Sequence, residues 1–399
     1  MSGANLPATP VSLMLVCGEP SGDQLGGQLM GALRSLAGDN VKITGVGGLA
    51  MQAQGLKSLY PLDDTAVMGL REVVPKIPRI LARVRQARDF ALQTRPEAVI
   101  LIDSPDFTHR IARSLKRADP SIRTINYVAP QVWAMRAYRA RTMASYFDLV
   151  LALLPFETPF FEKYGLKSVF VGHPVIERTA RVKGGAALRA RLGIANDTPV
   201  LAVLPGSRTN EIRFLLPVFR DAVRLIAERV PGLVTLLPTV PHVAARVREA
   251  AQNWPTPIHV IESEDDKFAA FDAANAALAA SGTVTTELAL SRTPFVSAYR
   301  VGAITYALGS WMFRLPYFTL VNLLLEREAV PEFLQSRASA ENLANAVIPL
   351  LTNADAANRQ ITDLEEAAHK LGEGGEAPSL RAARAILDFI ETQRFARST

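Results

Sequence analysis

The chain has 399 residues, 49% of them hydrophobic and 21% charged, which excludes a disordered polypeptide and makes two domains the default expectation. One cysteine, Cys17, excludes any intrachain disulfide and suits a reducing compartment. The formal net charge of +6 lies wholly at one end: residues 1–150 carry 18 Lys and Arg against 12 Asp and Glu, and the remainder carries 26 of each. A basic face of this kind seeks phosphate on nucleic acid, anionic lipid or a substrate, or is a set of solvated helix faces.

The first ten residues lack a basic n-region, and the apolar run Val11–Val16 is too short for a signal-peptide core, so it reads as a strand. No stretch approaches the roughly 18 apolar residues of a spanning helix. The chain is therefore expected to be cytoplasmic and not to span a membrane. Further strands are expected at 41–46, 98–103, 123–128, 148–154 and 168–171, with helices at 24–36, 107–116 and 156–164. Apolar strands alternating with helices indicate a parallel sheet covered on both faces.

A boundary is expected near Gly172-His173-Pro174 and the charged stretch that ends at Gly185, dividing the chain at about 175/176. The second half repeats the pattern. Strands are expected at 199–204, 233–238, 258–262, 276–280 and 294–298, and helices at 211–229, 243–253, 267–273 and 285–290. This reads as a second doubly wound α/β unit. From about Glu341 the chain reads as helices, broken at 371–378 by a glycine-rich stretch that looks like a mobile connector. The last helix, about 379–399, is amphipathic and must pack on something, either the first domain or another subunit.

Open α/β sheets bind ligands beyond the carboxyl ends of their strands, where several turns fall. Leu204-Pro205-Gly206-Ser207-Arg208 follows one strand, and Ser281-Gly282-Thr283 follows another. Each reads as strand, tight turn, helix, an arrangement that leaves backbone N–H groups free for an anion. Two such turns suggest a nucleotide-sugar enzyme. A guanidinium such as Arg208 can grip a pyrophosphate bidentately without losing its charge. Glu211 either joins that site or completes a helix cap. Glu287 suits the vicinal hydroxyls of a ribose, or is a solvated helix carboxylate.

In the first half, Gly18-Glu19-Pro20-Ser21-Gly22-Asp23 follows the first strand. Its glycines permit close backbone approach to a ligand, which makes Glu19, Ser21 and Gly22 candidate contacts, with Asp23 as a cap for the next helix. A plain turn is the alternative, and the stronger reading for the glycines at 45–48. Asp103 and Asp106 close another strand, where a carboxylate can deprotonate a hydroxyl nucleophile; otherwise Asp106 or Ser104 caps the following helix. The Tyr127–Arg136 segment offers aromatic faces with Gln131 and Arg136, which suit a sugar phosphate, although core packing accounts for the aromatics equally well. The five histidines are scattered and H-E-x-x-H is absent, so neither metal nor cofactor is expected. Ile77, Ile80, Leu81 and Val84, beside Lys76, Arg79 and Arg83, form one candidate lipid-facing segment, and residues 306–325 a second; core burial is the alternative for both.

Taken in order, these motifs resemble the lipid-A-disaccharide synthase family of inverting glycosyltransferases. The matching pieces are Gly18–Asp23, Val67–Val73, Ile102–Phe107, Tyr127–Arg136, Leu154–Glu157, Val171–Pro174, Leu204–Arg208, Ser281–Glu287, and Asn322-Leu323-Leu324 with Pro331-Glu332. The sequence departs from the family pattern at Met135, Val321 and Leu325-Glu326. The resemblance implies a GT-B fold, two Rossmann-like doubly wound domains with a cleft between them. Residues 1–175 would bind the acceptor and residues 176–378 the UDP-sugar. It implies transfer from UDP-2,3-diacylglucosamine to 2,3-diacylglucosamine 1-phosphate (lipid X), with no metal. Asp103 would be the base, with Asp106 in reserve, and Asn322 would contact the nucleotide. The implied setting is peripheral, on the anionic inner face of the inner membrane, with no nucleic-acid partner; a homodimer stays open.

Overall fold

A computed structural model describes residues 10–65, 70–132, 138–179, 184–302 and 316–398, with the side chains of all except 70–76 and 397–398. The chain forms two compact units, Met1–Pro174 together with Gly374–Thr399, and Val175–Glu373.

The first unit runs β1 (Val11–Cys17), α1 (Pro20–Ala37), β2 (Val41–Val46), α2 (Leu49–Ala53), α3 (Leu70–Thr94), β3 (Ala98–Ile102), α4 (Pro105–Ala118), β4 (Arg123–Tyr127), α5 (Tyr138–Met143), β5 (Leu149–Ala152), α6 (Thr158–Glu162) and β6 (Lys167–Phe170). Its strands form a parallel sheet in the order β2-β1-β3-β4-β5-β6. Successive side chains of a strand point to opposite faces, and both faces here are apolar. Leu13, Leu15 and Cys17 enter one core with Ile100 and Ile102, whereas Met14 and Val16 enter the other with Val99 and Leu101.

The second unit runs α7 (Val175–Thr179), α8 (Gly185–Leu192), β7 (Val200–Leu204), α9 (Thr209–Ala227), β8 (Val234–Pro238), α10 (Pro241–Ala251), β9 (Ile258–Ile261), α11 (Glu264–Ala273), β10 (Ala276–Ala280), α12 (Thr283–Leu290), β11 (Phe295–Tyr299), α13 (Leu320–Leu325), β12 (Glu332–Leu334), α14 (Ala340–Thr352) and α15 (Ala354–Lys370). Its sheet order is β12-β11-β10-β7-β8-β9, again parallel. The last helix, α16 (Pro378–Ser398), returns to the first unit. There Ala382, Ala383, Ile386, Phe389 and Ile390 join Leu29, Met30 and Leu33 of α1 in one core.

Three local differences from the sequence reading have physical causes. The strand expected to reach residue 103 stops at Ile102, because Asp103 and Ser104 turn to φ 54° and 45°, outside the extended region. The edge strand β12 was not anticipated; three residues are too few to show a two-residue period. The stretch at 371–378 consists of turns with ion pairs at both ends, Arg292 to Glu373 in the second unit and Arg384 to Glu376 (2.6 Å) in the first.

Candidate functional site

In each sheet the connection order reverses at one place. In the first, β1 lies between β2 and β3, so the chain departs to one side of β1 and later returns on the other. In the second, β7 lies between β8 and β10 in the same way. Such switch points open a crevice beyond the strand ends, because the flanking connections diverge to opposite faces. The turns beyond β1 and β3 are those of Gly18–Asp23 and Asp103–Asp106. The turns beyond β7 and β10 are those of Pro205–Arg208 and Ser281–Thr283.

In the first unit the two turns are in contact. A Cβ at Gly18 would lie 2.8 Å from Ser104 Cβ, and one at Gly22 would lie 3.1 Å from the Ile102 carbonyl, so glycine permits the approach at both. Ser21 Oγ donates to Asp103 Oδ2 (2.8 Å), and Ser104 Oγ donates to Glu19 Oε1 (2.7 Å). Asp103, Ser104 and Val128 all have positive φ, 54°, 45° and 81°. Such strain, least tolerated by a β-branched residue like Val128, concentrates at functional sites.

Glu19 and Ser21 thus have partners within the protein, a role the sequence reading did not assign them. Ser104 is the residue before α4 but makes no side-chain cap; Asp106 lies exposed in the first turn. Asp23 does not cap the helix after its turn. It lies inside α1, and its carboxylate accepts from the N–H groups of Gly48, Ala50 and Met51 at the start of α2 (2.7–3.1 Å). The glycines at 45–48 therefore serve packing and turning. Burial, assisted by Asp23, pushes the Cys17 thiol up to about 12, which removes it as a nucleophile near neutrality. Gln131 is exposed, and Arg136 lies outside the described residues. Of the proposed lipid-facing segment, Val84 is buried, Ile80 packs partly against the core and Ile77 is exposed, while Arg79 and Arg83 bind Asp64. Residues 306–315 of the second apolar segment lie outside the described residues.

In the second unit, Gly206 has φ 112°. Glu211 Oε2 accepts from the N–H groups of Ser207 (2.9 Å) and Arg208 (3.1 Å), and Oε1 accepts from Arg208 Nη1 (2.8 Å). The capping reading of Glu211 holds, and the Arg208 side chain stays 81% exposed. His242 Nε2 donates to the Ser207 carbonyl (2.6 Å), tying α10 to the same turn. Across the switch point, Ser281 N donates to the Ala298 carbonyl and Ser281 Oγ to that of Phe318. Gly282 and Thr283 are exposed at the start of α12, where no side chain caps the helix.

Glu287 is buried rather than solvated. Lys267 Nζ reaches both its oxygens at 3.0 and 3.1 Å, with Arg178 Nη2 at 3.7 Å. The Lys267 ammonium also lies 4.4 Å from the centre of the Phe268 ring. Asn322 corrects an expectation, since it is fully buried and all its amide capacity is used. Nδ2 donates to the Val330 carbonyl and to Glu332 Oε1, and Oδ1 accepts from the N–H groups of Ala329 and Val330. It holds the 329–332 turn and has no hydrogen bond left for a ligand. Glu332 also accepts from Phe318 N and Thr319 N, so the same cluster sets the carbonyl that receives Ser281.

Sequence reasoning gave no site role to Lys267, or to Glu332 beyond its place in the Pro331-Glu332 motif. The available signal for Lys267 was a lone cation after three acids, Glu264-Asp265-Asp266. For Glu332 it was a carboxylate in an otherwise apolar edge. Among the described residues, no group of three His, Cys, Asp or Glu side chains gathers to hold a metal ion.

The family model described as Lipid-A-disaccharide synthetase matches residues 13–385. The chain is 48% identical to a Lipid-A-disaccharide synthase of Rhodospirillum centenum over 381 residues, 96% of this chain and 95% of that one. It is 44% identical to a protein of the same name from Ruegeria pomeroyi, covering 94% of each. Among solved structures it resembles a putative UDP-N-acetylglucosamine 2-epimerase from Listeria monocytogenes (TM-score 0.64, 15% identity, 97% of this chain and 98% of that one). It also resembles Acinetobacter baumannii MurG (TM-score 0.56, 16% identity, 96% and 100%). These two likenesses are of fold, two Rossmann-like domains of the GT-B kind. Matched along nearly its whole length at this identity, the chain belongs to the lipid-A-disaccharide synthase family.

Proposed function

We propose that the chain is a hexosyltransferase of lipid A biosynthesis that moves 2,3-diacylglucosamine from its UDP derivative to 2,3-diacylglucosamine 1-phosphate. The observation that carries this reading, beside family membership, is that all four candidate turns flank the switch points of the two sheets. The second unit holds the nucleotide. Arg208, whose side chain is 81% exposed though paired with Glu211, and the N–H groups of Gly282 and Thr283 stabilise the departing diphosphate, and Glu287 receives the ribose. The N–H groups of Ser207, Arg208 and Ser281, expected to be free for an anion, are taken by Glu211 and the Ala298 carbonyl. The first unit holds the acceptor, and Asp103 removes the proton of its 6-hydroxyl. The hydroxyl oxygen then bonds to the donor C1 as the C1–O bond to the diphosphate breaks. The products are the β-1,6-linked disaccharide 1-phosphate, with inversion at C1, and UDP. Asp106, exposed in the first turn of α4, is the second candidate base. Exposed Ile77 beside Arg79, and exposed Tyr138 beside Arg139, support peripheral contact with the anionic inner face of the inner membrane.

The test is incubation of the purified chain with both acylated substrates in detergent, following UDP and disaccharide. Asp103→Asn is expected to lower kcat by about 10²–10⁴-fold while UDP still binds. Arg208→Ala is expected to weaken UDP binding and turnover together. Absence of disaccharide from the unsubstituted protein would overturn the reading; unchanged UDP affinity in Arg208→Ala would overturn the assignment of the diphosphate site.

A further inference from the structure

The turn after β1 and the turn after β3 exchange hydroxyls in opposite directions. Each supplies one serine and one carboxylate: Ser21 to Asp103, and Ser104 to Glu19. The main chain of Asp103 is fixed independently. Its N–H donates to the Tyr127 carbonyl (2.9 Å), and its own carbonyl accepts from Thr108 Oγ1 (2.7 Å). A half-buried carboxylate on a fixed main chain still turns about its side-chain torsions unless something holds it. Among the described residues, no ion pair reaches the Asp103 carboxylate, and its side-chain donor is the Ser21 hydroxyl. The hydroxyl of Ser21 is thus the donor that selects one orientation.

We propose that Ser21 is a positioning residue for the transfer. Its hydroxyl engages Oδ2 of Asp103, so that Oδ1 is the oxygen that takes the acceptor's proton. The Ser104–Glu19 pair secures the turn from which Ser21 acts. The inference rests on the reading of Asp103 as the base. In the step, the acceptor O–H bond breaks, Oδ1–H forms, and the oxygen's electron pair forms the bond to the donor C1 as UDP leaves. Oδ2 keeps its hydrogen bond throughout, which preserves geometry at the reacting oxygen.

The experiment is a double-mutant cycle with kcat and KM measured separately. Ser21→Ala is expected to lower kcat about tenfold while both KM values and the UDP Kd stay within about twofold. Ser21→Thr, which keeps the hydroxyl, should recover most of the rate. In an Asp103→Asn background, Ser21→Ala should change the residual rate by less than about twofold, because its effect passes through the carboxylate. Equal losses in the two backgrounds, a loss confined to KM, or no recovery with threonine would overturn the proposal. A wild-type rate in Asp103→Asn would instead remove the base assignment itself, and this inference with it. Ser104→Ala offers a second route to the same cycle, with a smaller loss expected that also vanishes without Asp103.

Discussion

Asn322 and Asp103 show what separates a supporting side chain from a reacting one. The amide of Asn322 is closed on all sides by the 329–332 turn and Glu332, whereas the Asp103 carboxylate is half-buried and one of its oxygens is held by Ser21. His109 is a third case, a titratable ring kept from titrating. It is buried beside Tyr146 and Phe147, and burial, with Arg113 and Arg139 nearby, lowers it from 6.5 to about 3. The unfolded chain therefore binds a proton at this residue between pH 6.5 and about 3 while the folded chain does not. The stability associated with His109 is complete above pH 6.5 and is lost progressively as pH falls through that window. Melting temperatures from pH 7 to 4 should fall less steeply in His109→Gln than in the unsubstituted chain; parallel curves would show that the ring is not the source.

At the scale of elements, α2 depends on a residue outside itself. Its five residues are too few to hold a helix alone, and the Asp23 carboxylate, from α1, takes three N–H groups at its start. Asp23→Ala should cost about 1–3 kcal/mol, and Asp23→Asn less, since an amide oxygen can still accept. Urea midpoints at unchanged slope would measure this, and an unshifted midpoint in Asp23→Ala would rule the cap out. The element also marks where sequence reading succeeds and stops. Strands 41–46 and 276–280 were legible to the residue, the first by its β-branched residues in alternation with polar ones and the second by an apolar run between turn residues. The strand-end turns beginning at Gly18, Pro205 and Ser281 were legible too, although Pro20–Asp23 form the first residues of α1 and Asp103 was read as strand. The partners were not. Asp23 with α2 spans 25 residues of chain or more, Ser21 with Asp103 spans 82, and Lys267 with Glu287 spans 20. Each pairing exists only once the sheet order brings the strand ends together, and no local pattern encodes that order.

At the scale of the whole molecule, the first unit is assembled from two separated stretches of chain. The α16 helix covers the α1 face, Arg394 binds Glu97 (2.6 Å), and Arg381 donates to the Phe170 carbonyl. Fully burying Ile386, Phe389 and Ile390 is worth about 1.5–3 kcal/mol each, a sum that approaches the whole stability of a domain, about 5–15 kcal/mol. Deleting residues 374–399 should therefore abolish cooperative melting of the first unit and leave a dye-binding apolar surface at Leu29, Met30 and Leu33, with the second unit's transition retained. A truncated chain that melts like the full one would contradict this account of the packing.

The return of α16 also sets a timetable for synthesis. Residues 378–398 leave the ribosome after every residue of 175–373, so the second unit can reach its native state while the first still lacks a wall. For that interval the nascent protein exposes the bare side of α1, a feature that suits chaperone capture and makes late translational pauses hazardous.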